Sequence, residues 1–261
     1  MSIPFDQMAA SYDTMRGLPP QSALDDLAAC IITLTHATPD TRFLEPGIGT
    51  GRIALPLVQR GHHYTGVDLS PMMLAEFRRK LGGITNRPTL VLGDATSLPF
   101  KDSSFDVVLT SELLYHVPDW PRALAEIGRV LKPHAYYLYC YEEVERSATA
   151  EELDTRWRSL LAGRGFEPLW DNYISDDGVL DALRQQATVL APHTAALWQN
   201  DRTLEDHLHS YSKLRPLYPN VPDPLFSTIL DSLRAWGIQR YGSQDLITVS
   251  TTKYLLRVVH L

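Results

Sequence analysis

Residues 44–51 read LEPGIGTG, and the glycines at 47, 49 and 51 constrain the fold more than any other stretch of the chain. They follow the β-like run TRFL and precede the apolar segment Arg52–Arg60. Glycine allows a sharp turn and leaves it bare of side chains, so a ligand can approach the main chain closely. A strand, a glycine turn and a helix in that order open a doubly wound α/β sheet. Spacing argues against two phosphate-binding versions of this turn. No Gly-Lys-Ser/Thr ending follows, which removes the nucleoside-triphosphate loop, and the third glycine of a dinucleotide fingerprint would fall on Arg52.

The next segments keep the same rhythm. Beyond Arg42–Leu44, β-like runs recur at His63–Val67, Thr89–Leu92, Phe105–Thr110 and Ala135–Tyr141. Helical patterns lie among them. Ser22–Thr35 carries Leu24, Leu27, Ile31 and Leu34 on one face. Ser70 caps a helix with Pro71 at its first position and Met73, Leu74, Phe77 and Leu81 as its stripe. Asp119 caps another with Leu124, Ile127 and Leu131 inward, stopped by Pro133. Alternation at this spacing predicts a mostly parallel sheet with helices on both faces and right-handed crossovers. Pro56 falls early in the helix after the glycine turn, predicting a shifted start or a slight kink.

The rhythm breaks over residues 142–223, where helices are expected near Ala150–Gly163, Asp177–Ala191 and Thr203–Leu214. A last helix is expected at Asp223–Trp236, and two strands folding about Thr251-Thr252 within Asp245–Leu261. The organisation read from this is an N-terminal lid and cofactor-binding core at 1–141, a helical insertion serving as substrate cap at 142–223, and a terminal helix and hairpin at 224–261 that complete the sheet.

Charge and composition narrow the function. With 24 basic and 31 acidic residues the net charge is -7, which argues against a nucleic-acid partner. Cys30 and Cys140 each sit in an apolar run and read as reduced core thiols. The first residues lack a signal pattern, and no apolar run approaches the ~20 residues that cross a bilayer, so a soluble cytoplasmic protein without a membrane partner is expected. His62-His63 stands at a turn, and His207 and His209 do not share a helix face, so no metal site is expected.

Acids at the strand ends carry the chemistry. Asp68 ends the second run, 17 residues after Gly51, where this fold sets a carboxylate beside ribose hydroxyls. Asp94 lies just past the third run, where its carboxylate can accept from an exocyclic amine while the Ala95 amide donates to a ring nitrogen. Acids at adjacent strand ends suit a ligand with an adenosine and a positive charge, and repel a pyrophosphate.

In order and spacing, EPGIGTG, GVDLSP, GDATSLPF and SFDVVLTSELLYHVPDW closely resemble the class I S-adenosylmethionine-dependent methyltransferases, most of all the small-molecule, UbiE-like subgroup of methyltransferase type 11. The likeness is strong over about residues 40–141 and looser at the terminal helix and hairpin. It implies a seven-stranded sheet of order 3-2-1-4-5-7-6 with an antiparallel last strand. It also implies that Gly47, Gly49 and Gly51 pass under the methionine and ribose of S-adenosylmethionine, with S-adenosylhomocysteine as product. Glu45 would support the amino group, Asp68 the ribose hydroxyls, and Asp94 with Ala95 the adenine. Leu69 and Met73 would pack on the adenine face, a plain core stripe being the other reading of Met73. The N-terminal FDQMAASYD resembles the part of this subgroup that folds over the cofactor, so that Tyr12 would shield the carboxylate end and Arg16 pair with it.

Methyl transfer from a sulfonium is a direct displacement and relies on positioning and electrostatics. Ser111 and Glu112 are placed to meet the methionine end. Tyr115 and His116 are the candidates to face the acceptor, with His116 suited to act as a base near neutrality or else to cap and pack the next helix. Base and amide methyltransferases often carry an Asn/Asp-Pro-Pro-aromatic stretch where this chain has TSELLYH, which favours a small organic acceptor methylated at O, N or C. Trp157, Phe166, Trp170, Tyr173, Trp198, Tyr211 and Tyr218 either hold the insertion together or line an apolar acceptor site, and Lys213 and Arg215 are candidates to attract an anionic one. A regulatory or scaffold protein that binds the cofactor without turnover, and an NAD-dependent oxidoreductase, are the competing readings; a monomer and a homodimer both remain open.

Overall fold

The computed structural model describes residues 5–168, 174–242 and 247–261. Trp170, Tyr173 and Asp245, named above, lie outside them. The described chain opens with α1 (Phe5–Met8), a 3-10 turn and α2 (Tyr12–Arg16), then α3 (Gln21–Thr35) and β1 (Arg42–Pro46). There follow α4 (Ala54–Gln59), β2 (His63–Asp68), α5 (Pro71–Lys80), β3 (Thr89–Leu92), β4 (Phe105–Ser111), α6 (Trp120–Val130) and β5 (Leu131–Arg146). The second half holds α7 (Ala148–Ala162), α8 (Asp176–Gln186), β6 (Thr188–Val189), β7 (His193–Thr203), α9 (Leu204–Lys213), α10 (Asp223–Tyr241) and β8 (Ile247–His260).

The strands form one sheet of order β3-β2-β1-β4-β5-β8-β6, with β7 also paired to β8. The pairs β2–β3, β1–β2, β1–β4 and β4–β5 are parallel. β8 lies antiparallel to β6. Against β5 it is antiparallel as well, since Ser147 bonds Val249, Glu143 pairs with Lys253 and Tyr141 meets Arg257, in opposite chain directions. The fold is therefore the Rossmann-like sheet that the resemblance implies. Its strand order reverses between β1 and β4, which places the ligand crevice of such sheets at their carboxyl ends.

Two expectations need correction. The terminal hairpin is instead the single strand β8, running through Thr251 and Thr252 without a turn. Neither threonine supplies the left-handed backbone a tight hairpin needs, and both favour extended chain. The helix expected to reach Ala191 stops at Gln186, and β6 and β7 follow. Ala187 is extended at φ -149°, Thr188 and Val189 are β-branched, and Pro192 cannot continue a helix. Pro56 is the third residue of the short α4, within the first turn whose amides have no helical acceptor, so it removes no helical hydrogen bond.

By contacts the chain divides into two units. One comprises the described residues within 1–18, 144–171 and 198–252, the other those within 19–143, 172–197 and 253–261. In the first, Trp157 stacks on Tyr211 at 5.0 Å and meets Phe226 edge-on at 5.5 Å, among Met8, Leu204, Leu208 and Leu233. Arg215 belongs to this unit's own architecture: it pairs with Asp223 at 2.7 Å and donates to the Tyr218 and Val221 carbonyls at 2.6 Å each. In the second, Leu44, Val67, Phe105, Val108, Ile127 and Tyr137 are buried between the parallel strands and their helices.

Candidate functional site

The three glycines serve different ends. All have left-handed backbone, with φ 72° at Gly47, 54° at Gly49 and 72° at Gly51. A β-carbon at Gly47 would lie 2.6 Å from Leu113 Cδ1, and one at Gly51 only 2.1 Å from Phe77 Cδ2. These two glycines admit other parts of the protein. At Gly49 the nearest atom to such a carbon is 4.0 Å away, so that face of the loop is left to a ligand. The loop is fastened to β2, where the Gly47 and Ile48 amides both donate to the Val67 carbonyl, at 2.7 and 3.1 Å.

Asp68 closes the arrangement. Its Oδ2 accepts the Gly49 amide and its Oδ1 the Ser70 amide, both at 2.8 Å. The carboxylate is half-buried at the end of β2. Ser70 caps α5 as expected, taking the Met73 amide at 3.0 Å. Of the side chains assigned to an adenine face, Leu69 is 69% exposed and Met73 is buried at 2% in the core. Asp94, exposed beyond β3, takes the Thr96 amide at 2.8 Å, and Ala95 beside it is 7% exposed.

Glu45, the penultimate residue of β1, is almost fully enclosed, at 2% exposure. Burial pushes its carboxyl up to about 8; the hydrogen bond from the Tyr64 hydroxyl at 2.7 Å works against this, and the nearby Asp68 adds to it. Burial disfavours the charged form of such a carboxyl, and a cation beside it would favour that form. These acceptors suit a ligand that brings an ammonium group, hydroxyls and an amino-purine.

At the end of β4, Ser111 stands in register with Cys140 of β5, whose buried thiol is pushed well above its ordinary value by burial. Glu112 adopts φ 55°, which for a residue with a side chain is costly and recurs at functional sites. Its Oε1 accepts the Glu142 amide at 3.1 Å and its Oε2 the Tyr115 hydroxyl. Tyr115 is buried, and its ring stands 4.3 Å from that of the half-buried His116. Two members of this region escaped the sequence reading. Arg52, next to Gly51, pairs with Glu142 at 3.1 Å, with the two side chains only 11% and 10% exposed. No local pattern links residues so far apart in sequence. Tyr12 and Arg16 stand in α2, in the other unit, with Tyr12 edge-on to Phe5 at 6.3 Å.

Comparison with known proteins finds a family model and relatives that match part of the chain. A model of the methyltransferase domain matches residues 44–139, a span that contains the glycine loop and every candidate from Glu45 to His116. The chain is 34% identical over 143 residues to a demethylmenaquinone methyltransferase of Symbiobacterium thermophilum, covering 53% of this chain and 57% of that protein. It is 38% identical over 130 residues to a phthiotriol/phenolphthiotriol dimycocerosates methyltransferase of Mycobacterium leprae, covering 46% and 47%. It spans about half the length of the curated relatives it matches. Among solved structures, the YcgJ protein of Bacillus subtilis matches with TM-score 0.56 at 18% identity over 89% of this chain and 97% of that one. A candidate methyltransferase of Bacillus halodurans matches with TM-score 0.58 at 15% identity over the same shares. At such identities these two structures establish the shared fold.

Proposed function

We propose, from the match of residues 44–139 to a methyltransferase domain model, that the chain is an S-adenosylmethionine-dependent methyltransferase that acts on a small organic acceptor at O, N or C. The observation that carries the reading is the set of carboxyl groups at successive strand ends, Glu45 on β1, Asp68 on β2 and Asp94 beyond β3, around a Gly49 whose face is bare. When bound, the cofactor supplies an electrophilic methyl on a sulfonium. Glu45 gives up its proton and holds the ammonium group. Asp68 accepts from the ribose hydroxyls while keeping Gly49 in place. Asp94 accepts from the exocyclic amine and the Ala95 amide donates to a ring nitrogen, with Leu69 against the ring.

Ser111 and Glu112 form the floor beneath the methionine end. Glu112 is held by Tyr115 and by the Glu142 amide, so its role is to fix the turn that presents His116. His116 takes the proton of an acceptor that arrives protonated, and an acceptor with a free lone pair does without it. Catalysis is then chiefly alignment of the acceptor behind the methyl carbon and exclusion of water. Among the described residues no helix is long and apolar enough to cross a membrane.

The match is confined to residues 44–139, and experiment identifies the acceptor. Relatives are named for demethylmenaquinone and for phthiotriol dimycocerosates, and these acceptor types head a panel of small hydroxylated and amine compounds. Incubation with methyl-labelled S-adenosylmethionine should place label in at least one acceptor, and His116→Ala should slow transfer to a protonated acceptor. Cofactor binding with no label in any acceptor would favour a binding protein without turnover.

A further inference from the structure

The helix α6 carries a second device. Arg122, Glu126 and Arg129 recur at spacings of four and three, which sets them on one helix face. All three engage the segment that follows β3. Arg122 Nε donates to the Thr96 carbonyl at 2.9 Å. Arg129 Nη2 donates to the Leu98 carbonyl at 3.0 Å and its Nη1 to the Phe100 carbonyl at 2.8 Å, so alternate carbonyls of the segment are each met by a guanidinium. Arg129 also reaches Asp102 Oδ1 at 2.8 Å. Its remaining donors form a two-pronged pair with Glu126, Nε to Oε1 and Nη2 to Oε2, both at 2.7 Å. Glu126 Oε2 in turn accepts the Leu98 amide at 2.7 Å. The helix end adds main-chain bonds, with the Ser103 and Ser104 amides donating to the Arg129 and Val130 carbonyls at 3.0 and 2.8 Å.

This segment begins at Asp94 and Ala95. Asp94 is tied to it from within, its carboxylate holding the Thr96 amide and its carbonyl the Ser97 amide at 3.0 Å. A planar guanidinium with five donors in a fixed fork can hold two carbonyls and a carboxylate at once, which a lysine ammonium cannot do. A loop fixed before its ligand arrives loses less conformational freedom on binding and keeps its acceptor and donor at one spacing.

We propose that Arg129, supported by Glu126 and Arg122, is a positioning residue that holds the 94–102 segment so that Asp94 and Ala95 discriminate adenine from other purines. This rests on the reading of Asp94 and Ala95 as the adenine contacts. None of the three α6 residues is assigned a contact with the ligand. Their effect is on selectivity through the segment they hold.

The test compares S-adenosylhomocysteine with S-inosylhomocysteine, in which a carbonyl replaces the exocyclic amine, by calorimetric titration of the full chain. Wild type should prefer the adenine ligand at least tenfold. Arg129→Lys should cut that preference threefold or more and speed hydrogen exchange of the Leu98 amide in the unliganded protein. Glu126→Gln, a milder change for the case in which Arg129→Lys folds poorly, should shift both readouts in the same direction. Arg79→Ala, which removes an exposed arginine that pairs with Glu76 at 2.9 Å three positions earlier on α5, should shift neither. An unchanged preference in folded Arg129→Lys and Glu126→Gln overturns the proposal. A wild type that binds neither ligand overturns the cofactor reading itself, and one that binds both equally overturns the adenine assignment on which the clamp depends.

Discussion

Replacing Gly51 by alanine separates glycines that admit protein from the glycine that admits ligand. At φ 72° an alanine costs about 1–2 kcal/mol in backbone terms alone. Its β-carbon would also lie 2.1, 2.2 and 2.4 Å from three atoms of the Phe77 ring, and that ring is fully buried. Overfilling a packed core costs about a further 1–3 kcal/mol, giving an expected loss of roughly 2–5 kcal/mol. Gly49→Ala shares the backbone cost but meets no atom closer than 4.0 Å, so about 1–2 kcal/mol is expected. Urea denaturation of both variants, with equal m-values, reads the difference directly. A cycle with Phe77→Ala isolates the overlap: the double variant should be more stable than the summed single losses imply, by about 1–3 kcal/mol. Equal losses at the two glycines, or a cycle without coupling, would refute the argument. Ligand affinity should run the other way, with Gly49→Ala losing more of it per unit of stability lost.

Three further outcomes follow from buried charge. Glu45 in the folded chain titrates near 8, above the usual carboxylate range, so the folded state binds the extra proton and stability falls as pH rises from about 4.5 to about 8. Glu45→Gln should flatten that part of the stability profile measured by urea denaturation, and wild type should release a proton on binding S-adenosylmethionine, seen as a buffer-dependent heat. Breaking the Arg52–Glu142 pair with Glu142→Gln should cost about 3–5 kcal/mol, while the apolar pair Arg52→Met/Glu142→Leu should lie much nearer wild type. His207 is lowered to about 4, chiefly by burial and then by Arg202, while its Nε2 meets Thr248 Oγ1 at 2.7 Å. The unfolded chain therefore takes up this proton first, stability falls as pH drops from about 6.5 toward 4, and His207→Gln should lessen that acid sensitivity.

The parallel half of the sheet was legible because its signals are local. Thr89–Leu92 is the strand the pattern predicts, and Arg42–Leu44, His63–Val67 and Phe105–Thr110 differ from β1, β2 and β4 only at their last residues. Ser70 and Asp119 cap the helices expected of them, through bonds to residues three positions on. The errors cluster where distant partners decide. Thr188–Val189 is a strand because it pairs with Val259 and His260, and helical periodicity upstream gave no warning of that. Gly49, Asp68 and Asp94 stood out as glycine or acid at strand ends. By contrast, the left-handed Glu112, the Arg52–Glu142 pair and the α6 clamp join segments 26 or more residues apart. Several insertion aromatics that suit an acceptor site on composition, among them Trp157 and Tyr211, are core residues of their unit, since aromatic content does not reveal which face is inward.

The central claim is that the strand-end carboxyls hold S-adenosylmethionine, and calorimetric titration tests it most directly. Wild type should bind S-adenosylmethionine and S-adenosylhomocysteine but not NAD, and folded Asp68→Ala should bind both sulfur ligands more than tenfold more weakly, about 1.4 kcal/mol. Folded wild type that binds neither, or that binds NAD in their place, would contradict the account.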